Sequence, residues 1–212
     1  MNVDAESPTK AEAATDSTRA RILATVIETL EQGGEQAVRI RDVAASVGIA
    51  VGAVYHHFDG REGLIAAARV AQFERVLGGD VEAIRDLVQR SATVDELRAG
   101  MHFLTRAAHS EARAPLRRLR AEVTGVARHS PTLAAALSET QDRRTSELAD
   151  SVAVAQSAGL VRPELDPRSV ATLLQAVTLG LVLNDINLAQ PVDEESWFEL
   201  IDYLYEGLLT VS

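Results

Sequence analysis

The feature that most constrains this chain is a pair of short apolar patterns separated by a glycine. The first pattern consists of four apolar residues, Ile40, Val43, Ala44 and Val47. Their spacings of three and four residues place them on one face of a helix. Gly48 follows directly, and glycine readily takes the left-handed backbone that ends a helix. The next apolar positions are Ile49, Val54 and Phe58. The sequence therefore predicts two short helices that cross at a tight turn.

Two helices joined by a three- or four-residue turn that contains glycine form the helix-turn-helix of DNA-binding proteins. The alternative is an ordinary helical hairpin that binds nothing. The preceding segment, Thr18 to Gly34, is predicted to be an amphipathic helix, with Thr18 as its N-cap and Gly33–Gly34 as its end. A third helix packed before the pair favours the DNA-binding interpretation.

At the level of motifs the segment resembles the TetR family of bacterial transcriptional regulators. The motifs are T-R-x-x-I-L from Thr18, R-D-V-A at Arg41–Ala44, V-G-I at Val47–Ile49, and V-Y-H-H-F-x-x-R-E-x-L from Val54 to Leu64. The resemblance implies an all-α fold with an N-terminal three-helix DNA-binding domain containing the helix-turn-helix, followed by a larger α-helical ligand-binding and dimerisation domain. The corresponding ranges are 17–64 and 65–212, and residues 1–16, which lack an apolar signal core, are predicted to be a disordered tail.

The resemblance also implies roles for individual residues. Val51 to Phe58 would be the recognition helix in the major groove, and Tyr55, Arg41 and Arg61 would contact phosphates, which suits their side chains. Gly52 would allow a close approach of the backbone. For Tyr55 the alternative is packing between helices. The complete expected DNA-binding set is Thr18, Arg39, Arg41, Val51, Gly52, Ala53, Tyr55, His56 and Arg61.

The sequence departs from the family pattern where base contacts would be made. Ala50 and Val51 stand where Ser or Thr and a polar or basic residue are common, and Arg39 opens the first motif helix instead of Ser or Thr. Val51 and Ala53 can offer only apolar contact to thymine methyl groups. The segment therefore predicts DNA binding without predicting the DNA sequence. An alternative is a dimeric ligand-binding or scaffold protein of the same fold, with weak or no DNA binding.

Composition supports a helical regulator. Of 212 residues 46% are hydrophobic and 4% aromatic, with no cysteine and no strand-like alternation. Glycine-rich phosphate loops and common catalytic motifs are missing, so we expect neither enzymatic activity, nor a cofactor, nor a metal site. We expect no apolar run of the ~18 residues that span a bilayer. The expected compartment is the cytoplasm.

The formal net charge is −10, and residues 1–60 hold five basic and nine acidic side chains. Net charge is a weak guide to DNA binding, because the distribution of charge over the surface decides it. Arg19, Arg39, Arg41 and Arg61 could cluster on one face. Binding through such a face is expected to weaken steeply with salt, since phosphate contacts release counterions.

The predicted helix from Arg168 to Leu188 is apolar on nearly every side, as expected for a helix buried on more than one face. The final helix adds further apolar residues. Core burial within one subunit is the simpler explanation. The resemblance implies a homodimer held by a four-helix interface, which would bind a palindromic DNA operator through two recognition helices. The expected interface residues are Leu173, Val177, Gly180, Leu181, Trp197, Ile201, Leu204 and Leu208.

The middle helices are the expected place for a small-molecule effector. An apolar wall with a few polar groups suits such a pocket. The alternative is that these residues are half-exposed or line the core. The candidate residues are Met101, His102, Thr105, Arg106, His109 and Asn184. His102 and His109 are two helical turns apart, ~10 Å, and no close acidic partner completes a metal site.

Overall fold

The computed structural model describes residues 10–186, 189–190 and 192–210, with side chains from Ser17 onward. Helices dominate these residues, and a single isolated β-bridge joins Val161 to Leu209, so the predicted all-α fold is confirmed. A short 3₁₀ helix covers Glu111–Arg113. The α-helices are α1 (Lys10–Ala37), α2 (Ile40–Val47), α3 (Val51–His57), α4 (Gly60–Arg90), α5 (Val94–His109), α6 (Ala114–Ala127), α7 (Pro131–Ser157), α8 (Pro167–Gly180), α9 (Val182–Ile186) and α10 (Glu194–Leu208).

The chain divides into two compact units. The first takes in Met1–Gln72 and Pro131–Ala136, and the second takes in Phe73–Ser130 and Leu137–Ser212. Two of the three boundaries therefore fall inside α4 and inside α7, and the third lies between α6 and α7, before Pro131.

The first unit is built on the apolar pattern that the sequence predicts. Val43, Ala44 and Val47 of α2 are buried, as are Val54 of α3 and Phe58 just after it. They join one core with apolar residues of α1 and α4, namely Ile22, Leu23, Val26, Leu30, Leu64, Ile65 and Ala68. The hydrophobic effect therefore fixes which faces of α2 and α3 point inward, and by exclusion which side chains face solvent.

The first helix is longer than predicted. It begins at Lys10, so Thr18 lies inside α1 and is not its N-cap, and residues 10–16 are helical where a disordered tail is expected. The segment from Lys10 to Ala14 is rich in alanine with lysine and glutamate, all strong helix formers. Residues 1–9 lie outside the described residues. Near its other end the helix changes direction at Gly34, whose φ is 64°.

The fourth helix is continuous, whereas the sequence predicts one helix from Gly63 to Leu77, ended by Gly78–Gly79, and another from Val81 to Ser91. Gly78–Gly79 does not end it, and α4 runs on to Arg90. Gly78 is buried, and a Cβ added there would lie 3.3 Å from Nη2 of Arg144 in α7. Gly78 therefore lies inside the helix, and the absence of a side chain leaves room for Arg144.

The helices of the second unit begin at well-defined caps. Thr93 and Glu96 form a capping box at the start of α5, and Asp193 accepts a hydrogen bond from the Ser196 amide at the start of α10. The helix predicted to run from Arg168 to Leu188 instead ends at Gly180 and is followed by the short α9. Leu188 lies outside the described residues.

Several residues predicted to form the dimer interface belong to the core of the second unit. Leu181, Ile201 and Leu208 are buried, while Val177 and Leu204 are half-buried. Trp197 is half-buried and stacks on His109. Packing within one subunit therefore buries these six side chains wholly or in part, and their contact with a partner subunit stays a prediction. A helix that is apolar on most sides gives no sequence signal for which face turns inward. Leu173 and Gly180 are exposed, as an interface requires.

Among the described residues one stretch, Pro167–Ile186, is long and apolar enough to cross a membrane by length and composition alone. The expectation that no run reaches this length is therefore wrong. The stretch is interrupted at Leu181, which is buried, and its Asp185 pairs with Arg117. These two contacts attach the end of the stretch to the second unit, while 22% of its apolar window is buried.

Candidate nucleic-acid interface and internal cavity

The outer face of α3 carries most of the residues that sequence analysis predicts to touch DNA. Tyr55 is 57% exposed and Val51 is 38% exposed. Gly52 and His56 are exposed as well, and Ala53 is half-buried. For Tyr55 this exposure excludes the alternative of packing between helices. α3 therefore presents a small, continuous surface that is partly apolar and partly polar.

The turn before α3 is fixed by backbone geometry. Gly48 has φ 74° and ψ 38°, and its amide donates to the carbonyls of Ala44 and Ala45. Ala50 is the N-cap of α3 and makes no side-chain cap hydrogen bond, as expected for alanine. The buried side chains of Val54 and Phe58 therefore hold α3 in place.

Arg21 of α1 holds the end of α2, a contact that sequence reasoning missed. Its Nη2 donates to the carbonyl oxygen of Val47 at 2.6 Å. A cation at the C-terminus of a helix is favourable, because the last carbonyls are unpaired and the helix dipole is negative there. The partner is a backbone atom 26 residues away. No sequence motif can report such a contact.

Arg61 also contacts the protein backbone. Its Nε donates to the carbonyl of Val38 at 2.8 Å, and its Nη2 donates to that of Glu35. The guanidinium therefore ties the start of α4 to the segment between α1 and α2. Arg19 lies over the ring of Phe58, with 5.4 Å between its Cζ and the ring centroid.

Arg39 and Arg41 differ from these arginines. Both side chains are exposed, and within the part of the chain that the structure describes neither makes an ion pair. Arg39 is the N-cap residue of α2, and Arg41 is in its first turn. The predicted cluster of four cations is therefore divided, since Arg39 and Arg41 remain available to an anion while Arg61 and Arg19 have intramolecular partners. Thr18 is half-buried in α1.

The second unit contains a partly open cavity of about 190 Å³ among α4, α5, α6, α7, α8 and α10. Of the six residues predicted to bind an effector, Met101 and Thr105 line it. The hydroxyl groups of Thr105 and Tyr205 share a hydrogen bond, and both residues are buried. Burial raises the pKa of Tyr205, so its phenol stays protonated at neutral pH.

The other four predicted effector residues do not line this cavity. His102 pairs with Asp202, and Arg106 lies over the ring of Phe198. His109 is hydrogen-bonded to Asn184, with 3.1 Å between the histidine Nε2 and the amide nitrogen. These four side chains connect α5 to α9 and α10, so the pattern of polar residues on an apolar helix reports contacts between helices. Within the described residues no group of acidic, histidine or cysteine side chains could hold a metal ion.

One part of the cavity wall is charged. Asp80, Arg113, Arg120 and Arg144 are its charged lining residues. Arg113 pairs with Asp80, and Arg144 Nη1 lies 2.8 Å from a carboxylate oxygen of Glu147. Arg120 is only 6% exposed and donates to the hydroxyl of Thr178 at 3.2 Å. Burial lowers the pKa of Arg120, while the nearby Asp80 opposes this. None of these four residues is in the predicted effector set.

The chain combines a helix-turn-helix, whose second helix α3 is exposed, with a second helical unit. This combination is typical of a DNA-binding regulator. The family of bacterial regulatory proteins of the tetR type matches residues 22–68, and the C-terminal domain of BetI-type transcriptional repressors matches residues 102–210. The chain belongs to the TetR family of transcriptional regulators.

Individual relatives agree with this assignment. The transcriptional regulator UidR of Escherichia coli K12 is 28% identical over 195 residues, which cover 92% of this chain and 94% of that protein. A structure described as a TetR-family regulator from Mesorhizobium loti superposes with a TM-score of 0.67 at 18% identity, covering 94% and 96% of the two chains. A regulator from Saccharomonospora viridis in complex with choline gives 0.61 at 18% identity, covering 92% and 100%. At 18% identity, these two superpositions show that the folds are similar and nothing more.

Proposed function

We propose that this chain is a homodimeric repressor that binds a palindromic operator and is released by a small-molecule effector in the second unit. The observation that carries the proposal is the outward face of α3 on a closed core, in a chain whose other unit contains a cavity. Residues 17–64 would form the DNA-binding domain and residues 65–212 the effector-binding and dimerisation domain. The cytoplasm is the compartment that such a function requires.

The proposed DNA contacts fall into two groups. Tyr55, Arg39 and Arg41 would hold phosphates, since they are exposed and are residue types that make backbone contacts. Val51 and Ala53 would meet base edges through apolar contact. Thr18, Gly52 and His56 complete the surface, as the family resemblance implies.

We assign Arg61 a positioning function in place of the phosphate contact expected from sequence. Its guanidinium already donates hydrogen bonds to the carbonyls of Glu35 and Val38. These bonds hold the entry to α2 against the start of α4, and α2 in turn supports α3 through the shared core. Arg61 would therefore affect DNA binding through the placement of α2.

The proposed dimer interface uses the apolar side chains that the second unit leaves exposed. Leu200 and Tyr203 on α10 are 61% and 72% exposed. A second group lies on and around α8 and α9, namely Leu173, Leu183 and Ile186. Large exposed apolar side chains grouped on neighbouring helices are typical of an interaction surface.

The effector would occupy the cavity among α4, α5, α6, α7, α8 and α10. Choline, which is bound in the structure from Saccharomonospora viridis, is an unsuitable model for this effector. The charged lining consists of three arginines and one aspartate, which disfavours a cation. Ligand and operator would weaken each other's binding reciprocally, because each would favour a different dimer state.

The direct test measures binding of the purified protein to fluorescent duplexes taken from the DNA flanking its gene, first at low salt. We expect the unliganded protein to bind and the Tyr55→Ala variant to bind at least about tenfold more weakly, the loss of a charge-assisted hydrogen bond in each subunit. Gln89→Ala, exposed on α4 in the second unit and outside the cavity lining, is the control. If neither flanking nor random duplexes bind at low salt, a dimeric ligand-binding or scaffold protein is the better description.

A further inference from the structure

We infer that the cavity of the second unit accepts an amphiphilic monoanion, a small apolar molecule ending in one carboxylate, and that Arg120 pairs with that carboxylate. The inference rests on the proposed function only in taking this cavity as the effector site. It goes further in naming the chemical class of the ligand and the residue that selects it.

The size and wall of the cavity define the body of the ligand. Its volume of about 190 Å³ is lined largely by leucine, valine and isoleucine side chains, including Leu87, Val88, Leu97, Leu148 and Leu174. An apolar cavity of ~150 Å³ holds one benzene molecule. The cavity therefore suits a single small hydrocarbon group, and burying it provides most of the binding free energy.

Arg120 is an unusual residue in such a wall. It is 6% exposed, and among the described residues its guanidinium makes one hydrogen bond, to Thr178. A guanidinium has five N–H donors and stays protonated in proteins. A buried charge with so few partners is costly unless a counter-charge compensates it. A bound carboxylate could accept two parallel hydrogen bonds from this group.

The charges around Arg120 leave one positive charge without a full partner. Asp80 is the nearby acid, but it already pairs with Arg113. Arg144 pairs with Glu147, although its Nε is buried without a hydrogen-bond partner in the described residues. Three arginines thus face two carboxylates. One negative charge on the ligand would neutralise the group.

The neutral part of the wall does not suit a cation. Quaternary ammonium groups are held by several aromatic faces. Among the residues that line this cavity Tyr205 is the one aromatic residue. Its hydroxyl is already hydrogen-bonded to Thr105. A ligand that is apolar apart from one anionic end therefore fits both the wall and the charge.

The test compares three probes with the same eight-carbon chain: octanoate, octanol and octyltrimethylammonium. Each is titrated calorimetrically into the full-length protein at pH 7.5. We expect octanoate to bind at least about tenfold more tightly than either other probe, the difference made by one charge-assisted interaction. Equal or tighter binding of octanol or octyltrimethylammonium contradicts the inference, and so does the absence of binding by all three.

Two matched variants locate the carboxylate. Arg120→Gln should remove the preference for octanoate over octanol, and Arg120→Lys should retain part of it because the charge remains. Arg118→Gln is the control, since Arg118 is exposed on the same helix. A full octanoate preference in Arg120→Gln overturns the assignment of Arg120. If Arg120→Gln does not fold, the comparison of the three probes on the unaltered protein still decides the ligand class.

A further measurement tests the ligand class separately from the proposed release of DNA by an effector. Operator affinity is measured with and without saturating octanoate. Binding of octanoate that depends on Arg120 but leaves DNA affinity unchanged supports the ligand class and contradicts effector release. Release of DNA by octyltrimethylammonium or octanol, with no binding of octanoate, supports effector release and contradicts the ligand class.

Discussion

Arg117 and Asp185 form a bidentate ion pair that joins α6 to α9, with 2.6 Å between Nη2 and Oδ1 and 3.0 Å between Nε and Oδ2. Both side chains are nearly buried, 10% and 7% exposed. Arg117 Nη1 also donates to the carbonyls of Ala108 and Ser110. One side chain therefore fixes the end of α5, the start of α6 and the short α9.

Asp185→Asn should destabilise the protein strongly. The substitution keeps the shape but leaves the Arg117 guanidinium buried without its counter-charge. Removal of one partner from a buried pair costs about 3 to 5 kcal/mol of unfolding free energy. Urea denaturation at pH 7 measures the difference. Asp150→Asn, on the exposed side of α7, should change stability by less than about 0.5 kcal/mol. Equal stabilities of the two variants would contradict the structural importance of the pair.

The contribution of the pair should depend on pH in a defined window. Hydrogen bonds from Arg117 hold the pKa of Asp185 below its usual value. A depressed pKa means that the contribution is complete above the ordinary aspartate pKa of about 3.9 and is lost as the pH falls through the lower folded value. The stability difference between the native protein and Asp185→Asn should therefore be the same at pH 7 and pH 5.5, and should shrink below pH about 4. A difference that already changes between pH 7 and pH 5.5 would contradict this cause.

Arg41 and Arg61 should affect DNA binding in different ways. Each phosphate contact adds ~0.9 to the slope of log affinity against log salt concentration, so loss of Arg41 from both subunits should reduce the slope by about 1.8. Arg61→Gln should weaken binding and lower the unfolding free energy but leave the slope unchanged, because Arg61 contacts the carbonyls of Glu35 and Val38.

The control for this pair is Arg128→Gln, an exposed substitution at the end of α6. It should leave both slope and affinity near those of the unaltered protein. A reduced slope for Arg61→Gln, at unchanged stability, would restore the phosphate contact predicted from sequence.

Leu200→Glu should convert the dimer to a monomer at micromolar concentration. Leu200 is exposed on α10, and a carboxylate placed in an apolar interface loses its hydration without gaining a partner. Sedimentation velocity measures the change in mass. Val154→Glu alters a similarly exposed aliphatic residue on α7 and should leave the dimer intact. A dimer that persists in Leu200→Glu would exclude this face of α10.

The sequence predicted the first unit better than the second, for a physical reason. In α2 and α3 the apolar residues repeat at helical spacing and Gly48 ends the first helix, so local pattern alone defines the inward face. In α8 and α10 apolar residues occur on most sides, and only packing decides that Ile201 is buried while Leu200 is exposed. Local pattern cannot separate two such neighbours.

Contacts between residues far apart in the sequence were also not predicted. Arg21 with the Val47 carbonyl and Arg117 with Asp185 join residues 26 and 68 positions apart. The intramolecular contacts of Arg19 and Arg61 were equally invisible in the sequence, so charge alone predicted a larger cationic cluster than the structure contains. The sequence also did not predict the arginines of the cavity, because only the fold brings Arg113, Arg120 and Arg144 together.

The most direct test of the central proposal, that the exposed α3 surface of a dimer binds DNA, is selection of bound duplexes from a random pool by the purified full-length protein. We expect enrichment of an inverted repeat whose half-sites lie about one helical turn apart, ~34–36 Å or a multiple of it. Tyr55→Ala should greatly reduce the enrichment. Recovery of no sequence above the starting pool, or equal enrichment by Tyr55→Ala, would contradict the account.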